Sequence, residues 1–153
     1  MGKQATPGDV AFALLAGHQV GDHWAQTAGQ ARDKGLPGGE GRKACAAHVA
    51  TLTACKAAAL GLLHVSGRRV SVRRAAVAVA ADAAAHYLAD RRQASPARGL
   101  PRLAFAAGLR ELWMLGAPRP GRDDNPCLGT GGYALDQAFH VGCLWVAAVA
   151  AAG

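Results

Sequence analysis

Histidine and aspartate recur in this chain at a spacing of four residues, and an α-helix is the regular structure in which that spacing brings side chains together. The pairs are His18/Asp22, Asp82/His86, His86/Asp90 and Asp136/His140. Random placement of the same residues would supply roughly 0.6 such pairs in the register of a helix face, so four of them point to chemistry as well as to helices. Gln26 extends the first pair by one more turn, which stacks His18, Asp22 and Gln26 along one side of a helix.

The rest of the composition agrees with an all-α fold. Hydrophobic residues make up 51% of the chain and aromatics only 5%, so the apolar content is mostly Ala, Val and Leu. That mixture suits packed helices better than a β-sandwich. With 153 residues the chain has the size of one domain, residues 1–153, in which 1–7 are a polar lead-in. Cys45, Cys55, Cys127 and Cys143 show no C-x-x-C spacing, which excludes a zinc ribbon or a thioredoxin-like motif and leaves them as reduced thiols. No basic segment precedes the first apolar run, Val10 to Ala16, so a secretory signal is not expected.

Taken in order, a first helix starts near Asp9 and fades around Gly29 to Gly35, before the breaker Leu36-Pro37-Gly38-Gly39. A second spans about Arg42 to Val65 and carries His48. The short link at Ser66-Gly67-Arg68-Arg69 turns it back into an antiparallel third helix, roughly Val72 to Arg92. Leu103 to Leu115 reads as a shorter helix. The last follows Gly132, with Asp136, Gln137 and His140 in its first turns and an apolar tail from Val141 to Ala152. The expectation is a bundle of four to five helices with an interior His/Asp cluster. Ala46 to Leu63, Ala75 to Leu88 and Tyr133 to Ala152 approach spanning length yet carry ionisable groups, so the bundle is expected in the cytoplasmic membrane or, if soluble, in the cytoplasm.

In their order along the chain these elements resemble an uncharacterised bacterial and phage family, domain of unknown function 3307. The matching residues are the H-x3-D-x3-Q element His18, Asp22 and Gln26, the internal His48, the H-x3-D pair His86 and Asp90, and the closing D-Q-x2-H of Asp136, Gln137 and His140. The correspondence covers about Gly17 to Trp145. It implies a small helical protein, often in a membrane. The pattern is also similar, more distantly, to membrane-bound metal-dependent hydrolases and to helical zinc phospholipases and nucleases.

As metal ligands the candidates are His18, Asp22, His48, His86, Asp90, Asp136 and His140, enough for one or two ions. Imidazole and carboxylate together suit a divalent cation, zinc or manganese above others. Asp22, Asp90 and Asp136 are also candidate general bases for hydrolysis where they are not ligands. Gln26 and Gln137 are expected to hydrogen-bond to the ligands. For any single pair, the simpler reading is a buried His–Asp hydrogen bond that fixes helix register. His23 and His64 fall outside the pattern and are expected at an interface or exposed.

The run Gly129-Thr130-Gly131-Gly132 leads into the last helix and can present amides to a phosphate, although it lacks the Gly-Lys-Ser/Thr ending of a P-loop. A net charge of +7 favours an anionic partner: a small anionic ester or a lipid headgroup, with nucleic acid the less favoured choice. Arg68, Arg69, Arg73 and Arg74 form the densest basic cluster, but no aromatics are interleaved there to stack bases. The alternative to a metal-dependent hydrolase of a phosphoester is therefore a non-catalytic basic helical protein that binds nucleic acid or acts as a regulator.

Overall fold

The computed structural model describes residues 2–91, 108, 112, 115 and 131–152. Its fold is all-α, with helices packed as a bundle. Among the described residues the helices are α1 (Pro7–Val20), α2 (Ala28–Asp33), α3 (Gly38–Val65), α4 (Val72–Asp90) and α5 (Gly131–Ala152), with a π-helical turn at Gly21–Ala25. The expected helix at Leu103 to Leu115 falls almost wholly outside these residues, as do Cys127, Gly129 and Thr130.

Local chemistry accounts for the helix starts. Thr6 caps α1 in a reciprocal box: its hydroxyl accepts from the Asp9 amide while the Asp9 carboxylate accepts from the Thr6 amide, and Pro7 pre-sets the first turn. Thr27 and Gln30 repeat the box at α2. Ser71 caps α4 through Arg74 N–H. The first helix was expected to run through Gln26. Instead α1 ends at Val20, the π-turn follows, and Gln26 is extended at φ −66°, ψ 127° just before the Thr27 cap. Strand pairing was not foreseen: Lys3–Gln4 (β1) pairs in parallel with Arg68–Arg69 (β2) and ties the N-terminus to the α3–α4 link.

The four long helices form a ring in which α1 neighbours α3, α3 neighbours α4, α4 neighbours α5 and α5 returns to α1. Consecutive neighbours run antiparallel. Thus Gly17 lies on Lys56 and Gly21 on Leu52, while His48 meets His86 and Lys56 meets Asp82. Glycine brings α1 and α3 this close. A Cβ at Gly17 would lie 2.7 Å from the Lys56 Cα, and one at Gly21 would lie 2.9 Å from the Leu52 Cα. Below this contact sits an apolar core that includes Val10, Leu14, Leu60, Val79, Leu144 and Ala148.

The outer faces of three helices are apolar. Every exposed position of α5 from Ala134 to Ala150 is apolar, as is every exposed position of α4 from Ala76 to Leu88 and of α3 from Ala46 to Leu62. Among the described residues eight ionisable ones, including four histidines and Lys56, are buried. α3 and α5 are long and apolar enough to cross a bilayer.

The glycine contacts make a paired prediction. Gly17→Ala forces backbone apart and is expected to lose roughly 1–3 kcal/mol, outweighing its helix-propensity gain of ~1 kcal/mol. Gly61→Ala, where a Cβ meets nothing within 4 Å, should keep that gain. Chemical denaturation of the two variants, read by circular dichroism, checks both signs.

Candidate metal centre

Four histidines from four helices converge at the end of the bundle capped by α2. His18 comes from α1, His48 from α3, His86 from α4 and His140 from α5, each at most 2% exposed. The ring centroids of His18 lie 5.5 Å from His86 and 5.4 Å from His140; those of His48 and His86 are 5.2 Å apart. His86 and His140 stack at 3.9 Å. The i, i+4 spacing places Asp90 one turn beyond His86, with its Oδ2 at 3.2 Å from His86 Nε2. It places Asp136 near His140 more loosely, at 3.7 Å.

The centre of the cluster is a close set of N and O atoms. His48 Nε2 lies 3.1 Å from His86 Nε2, 3.3 Å from Asp22 Oδ1 and 3.3 Å from Asp90 Oδ2. One imidazole N–H can serve only one of these three neighbours, and ionised carboxylates only accept. The remainder is a convergence of lone pairs, which a cation resolves. The spacing fits one: ligand atoms about 2.0–2.1 Å from a tetrahedral zinc ion stand about 3.3–3.4 Å from one another. Two overlapping groups, Asp22/His48/His86 and His86/Asp90/His140, keep their ligand atoms within 4.8 Å of one another and can hold a metal ion.

The π-turn redirects Asp22. On a continued α-helix it would stack on His18; on the wider turn it reaches His48, while Gln137 Nε2 donates to its Oδ2 at 3.2 Å. Burial alone would raise the Asp22 carboxyl, but the hydrogen bond with His48 and the charge of Lys34 hold it far below the usual carboxylate range. That direction favours the ionised carboxylate, the form able to ligate a cation. His23 pins the same turn to α5, its Nε2 standing 2.7 Å from the Tyr133 hydroxyl.

Buried polar atoms without a hydrogen bond concentrate here. Among the described residues they include both ring nitrogens of His18, Nδ1 of His48 and of His86, Nε2 of His140 and Oε1 of Gln137. Each such atom costs about 1–3 kcal/mol when left unmatched, so the cluster is costly as a mere packing element.

Two lysines complete the picture, and neither was singled out from the sequence. Lys34, at the end of α2, places Nζ 3.1 Å from Asp90 Oδ2, 3.8 Å from Asp22 Oδ1 and 3.4 Å from His48 Nε2. Gln26 accepts from it at 3.1 Å, so Gln26 orients a lysine rather than a ligand. Lys56, 1% exposed, donates to Asp82 deeper in the bundle. Asp82 was expected to pair with His86 as its i+4 partner; its recorded ion pair is with Lys56. Position-by-position spacing on one helix carries no sign of either lysine, because both act across helices.

Of the glycine segment, Gly131 and Gly132 are buried at the start of α5. The Gly131 amide donates to Leu115 O at 2.7 Å, and a side chain there would strike the Leu112 carbonyl. That amide is spent on chain packing and has none to offer a phosphate. His64 is exposed and accepts from the Val70 amide at 3.4 Å. Compared with family models, with curated proteins and with solved structures, the chain matches none.

The buried Lys56–Asp82 pair predicts an asymmetry. Lys56→Met strands a buried carboxylate and is expected to lose roughly 3–5 kcal/mol, whereas Lys56→Met combined with Asp82→Leu should recover most of it. Thermal unfolding of single and double variants measures the difference.

Proposed function

We propose that this bundle holds a divalent transition metal, zinc or manganese, and acts as a metal-dependent hydrolase on a phosphoester or other anionic ester at the cytoplasmic membrane. The observation that carries the reading is the set Asp22 Oδ1, His48 Nε2, His86 Nε2 and Asp90 Oδ2, in which His48 Nε2 stands 3.1–3.3 Å from the other three atoms and His86 Nε2 stands 3.2 Å from Asp90 Oδ2, spacings that suit the edges of a metal coordination shell. Kinship with domain of unknown function 3307 belongs to the same proposal. It rests on the ordered motif from His18 to His140, most of whose members meet in this one cluster.

In this reading Asp22, His48, His86 and Asp90 hold the ion. Gln137 fixes the Asp22 carboxylate, and His140 with His18 fills the other side of the cluster. A divalent ion supplies Lewis acidity there and lowers the pKa of water toward ~7. Lys34, whose side chain is 16% exposed, stands at the rim where an anionic oxygen can meet it. Asp136, beside His140 and outside the central set, is the carboxylate left to take a proton. Apolar outer faces around an ionisable interior suit a bundle seated in lipid, and the exposed Trp24 at the cluster's end suits the membrane interface.

A metal-free network is the second reading, favoured by the Lys34 ammonium, which already sits between the two carboxylates. Metal analysis of protein purified without an affinity tag separates them. A metal centre gives a stoichiometric transition metal that His86→Ala loses, and Lys34→Met then costs the loaded protein little stability. No metal in the wild type, together with a loss of roughly 3–5 kcal/mol in Lys34→Met, establishes the metal-free network instead. Hydrolysis of generic phosphomonoester, phosphodiester and phospholipid substrates should disappear in Asp90→Asn and in His140→Ala. Activity that survives both substitutions belongs to another site.

Membrane placement has its own readout. After carbonate washing the protein should remain in the membrane pellet, and recovery of a monodisperse chain from the soluble fraction without detergent would overturn this part.

A further inference from the structure

A second site runs along the outside of the bundle from the level of the His/Asp cluster toward the other end. Between α4 and α5 runs a groove of about 1000 Å³. Its floor is made of small residues, Ala78, Ala81 and Ala85 on α4 with Ala138 and Gly142 on α5, and Val77, Phe139 and Val146 form its walls. Small side chains on both facing helices leave the trough open where larger ones would interdigitate and close it. Ser71, Arg73 and Arg74 line one end.

The charge of this groove is one-sided. Asp82 is the single acid in its lining, and Lys56 neutralises it from the interior. Neither Arg73 nor Arg74 has an acidic partner among the described residues. Lys3, Arg68 and Arg69 add positive charge at the same end through the β1–β2 bridge, where Asp9 reaches only Arg68, at 3.9 Å. At 1.5 Å per helical residue, Arg74 stands about 24 Å from Asp90. The arginine end is therefore remote from the cluster, while the opposite end of the groove, at Ala85 and Phe139, lies level with His86 and His140 on the outer face.

The geometry points to a binding site for an anionic glycerophospholipid, with its acyl chains in the α4–α5 groove and its phosphodiester on Arg73 and Arg74. Acyl chains match a trough that is long, apolar and open to the outer face of the bundle. The guanidinium fork matches the oxygens of a phosphodiester. A zwitterionic lipid offers the same chains without net charge, so the arginines select for the anionic one. The site needs no metal. It draws on the membrane placement only for the supply of lipid, and because binding is read in detergent the two can fail separately.

Native mass spectrometry of the detergent-solubilised full chain, titrated with phosphatidylglycerol, phosphatidylcholine or inorganic phosphate, tests it. Phosphatidylglycerol should bind at least about tenfold tighter than phosphatidylcholine, the size expected for a charge-assisted contact. Arg73→Gln with Arg74→Gln should abolish that preference and leave the weaker chain binding. Gly142→Leu should weaken both lipids. A Cβ at Gly142 meets nothing within 4 Å, so this variant fills the groove and is expected to keep wild-type helicity. Equal binding of the two lipids, or phosphatidylglycerol binding indifferent to Gly142→Leu, overturns the inference. So does inorganic phosphate that competes as well as the lipid. A lipid-free dimer that Gly142→Leu disrupts would assign the groove to a second copy of the chain and overturn it as well.

Discussion

Buried charge without enough hydrogen-bond donors is the constraint on which the rest of this structure depends. Asp22, Asp90, His48 and His86 bring four electron-rich atoms to one place inside an apolar bundle. Removing a carboxylate from water costs several kcal/mol even after relaxation, and nearby positive charge together with hydrogen-bond donors must offset it. The bundle supplies one such charge in Lys34. One ammonium balances at most one carboxylate, and it leaves the ring nitrogens of His18 and His140 Nε2 without a hydrogen bond. The proposed divalent cation would correct both the charge and the surplus of lone pairs.

Geometry of the backbone makes that convergence affordable. Gly17 and Gly21 let α1 approach α3 to backbone contact, which draws His18 toward the axis that His48 reaches from the other side. The π-turn that follows then aims Asp22 across the bundle at His48. A regular helix at this point would have kept His18 and Asp22 on one face and left the centre with one carboxylate fewer. Wide turns of this kind sit disproportionately at functional sites, because they re-aim a side chain at a cost in local hydrogen bonding that the surroundings have to offset.

The parts of this arrangement legible in the sequence are those carried by one helix. Four-residue spacing placed His86 beside Asp90 and Asp136 beside His140, and alanine-rich runs between breakers marked α3, α4 and α5 close to their observed limits. What spacing misses is contact between elements. Gln26 looked like a third member of a helical face, yet the Thr27 capping box outcompeted helix continuation and turned Gln26 toward Lys34. Asp82 looked like a partner of His86, yet the ammonium of Lys56 on the neighbouring helix claims it. A lysine in a helical run is read as solvated by default, and only the register of α3 against α4 shows that position 56 points inward.

The distribution of polarity along the bundle links its two ends to one environment. At the α2 end, charged residues such as Lys34, Glu40, Arg42, Lys43 and Arg91 surround the His/Asp cluster; at the other end stand Lys3, Arg68, Arg69, Arg73 and Arg74. Between them the exposed positions of α4 and α5 are apolar without interruption. In water, turning alanine, valine and tryptophan outward while folding four histidines and a lysine inward forfeits hydrophobic stabilisation and adds a desolvation cost. In the proposed membrane placement a lipid surround would remove the first penalty and leave the second, which the ion pairs and the proposed cation would offset. In that reading the interior chemistry and the apolar exterior belong together: helices with apolar outer faces can carry buried charge only where it is compensated from within.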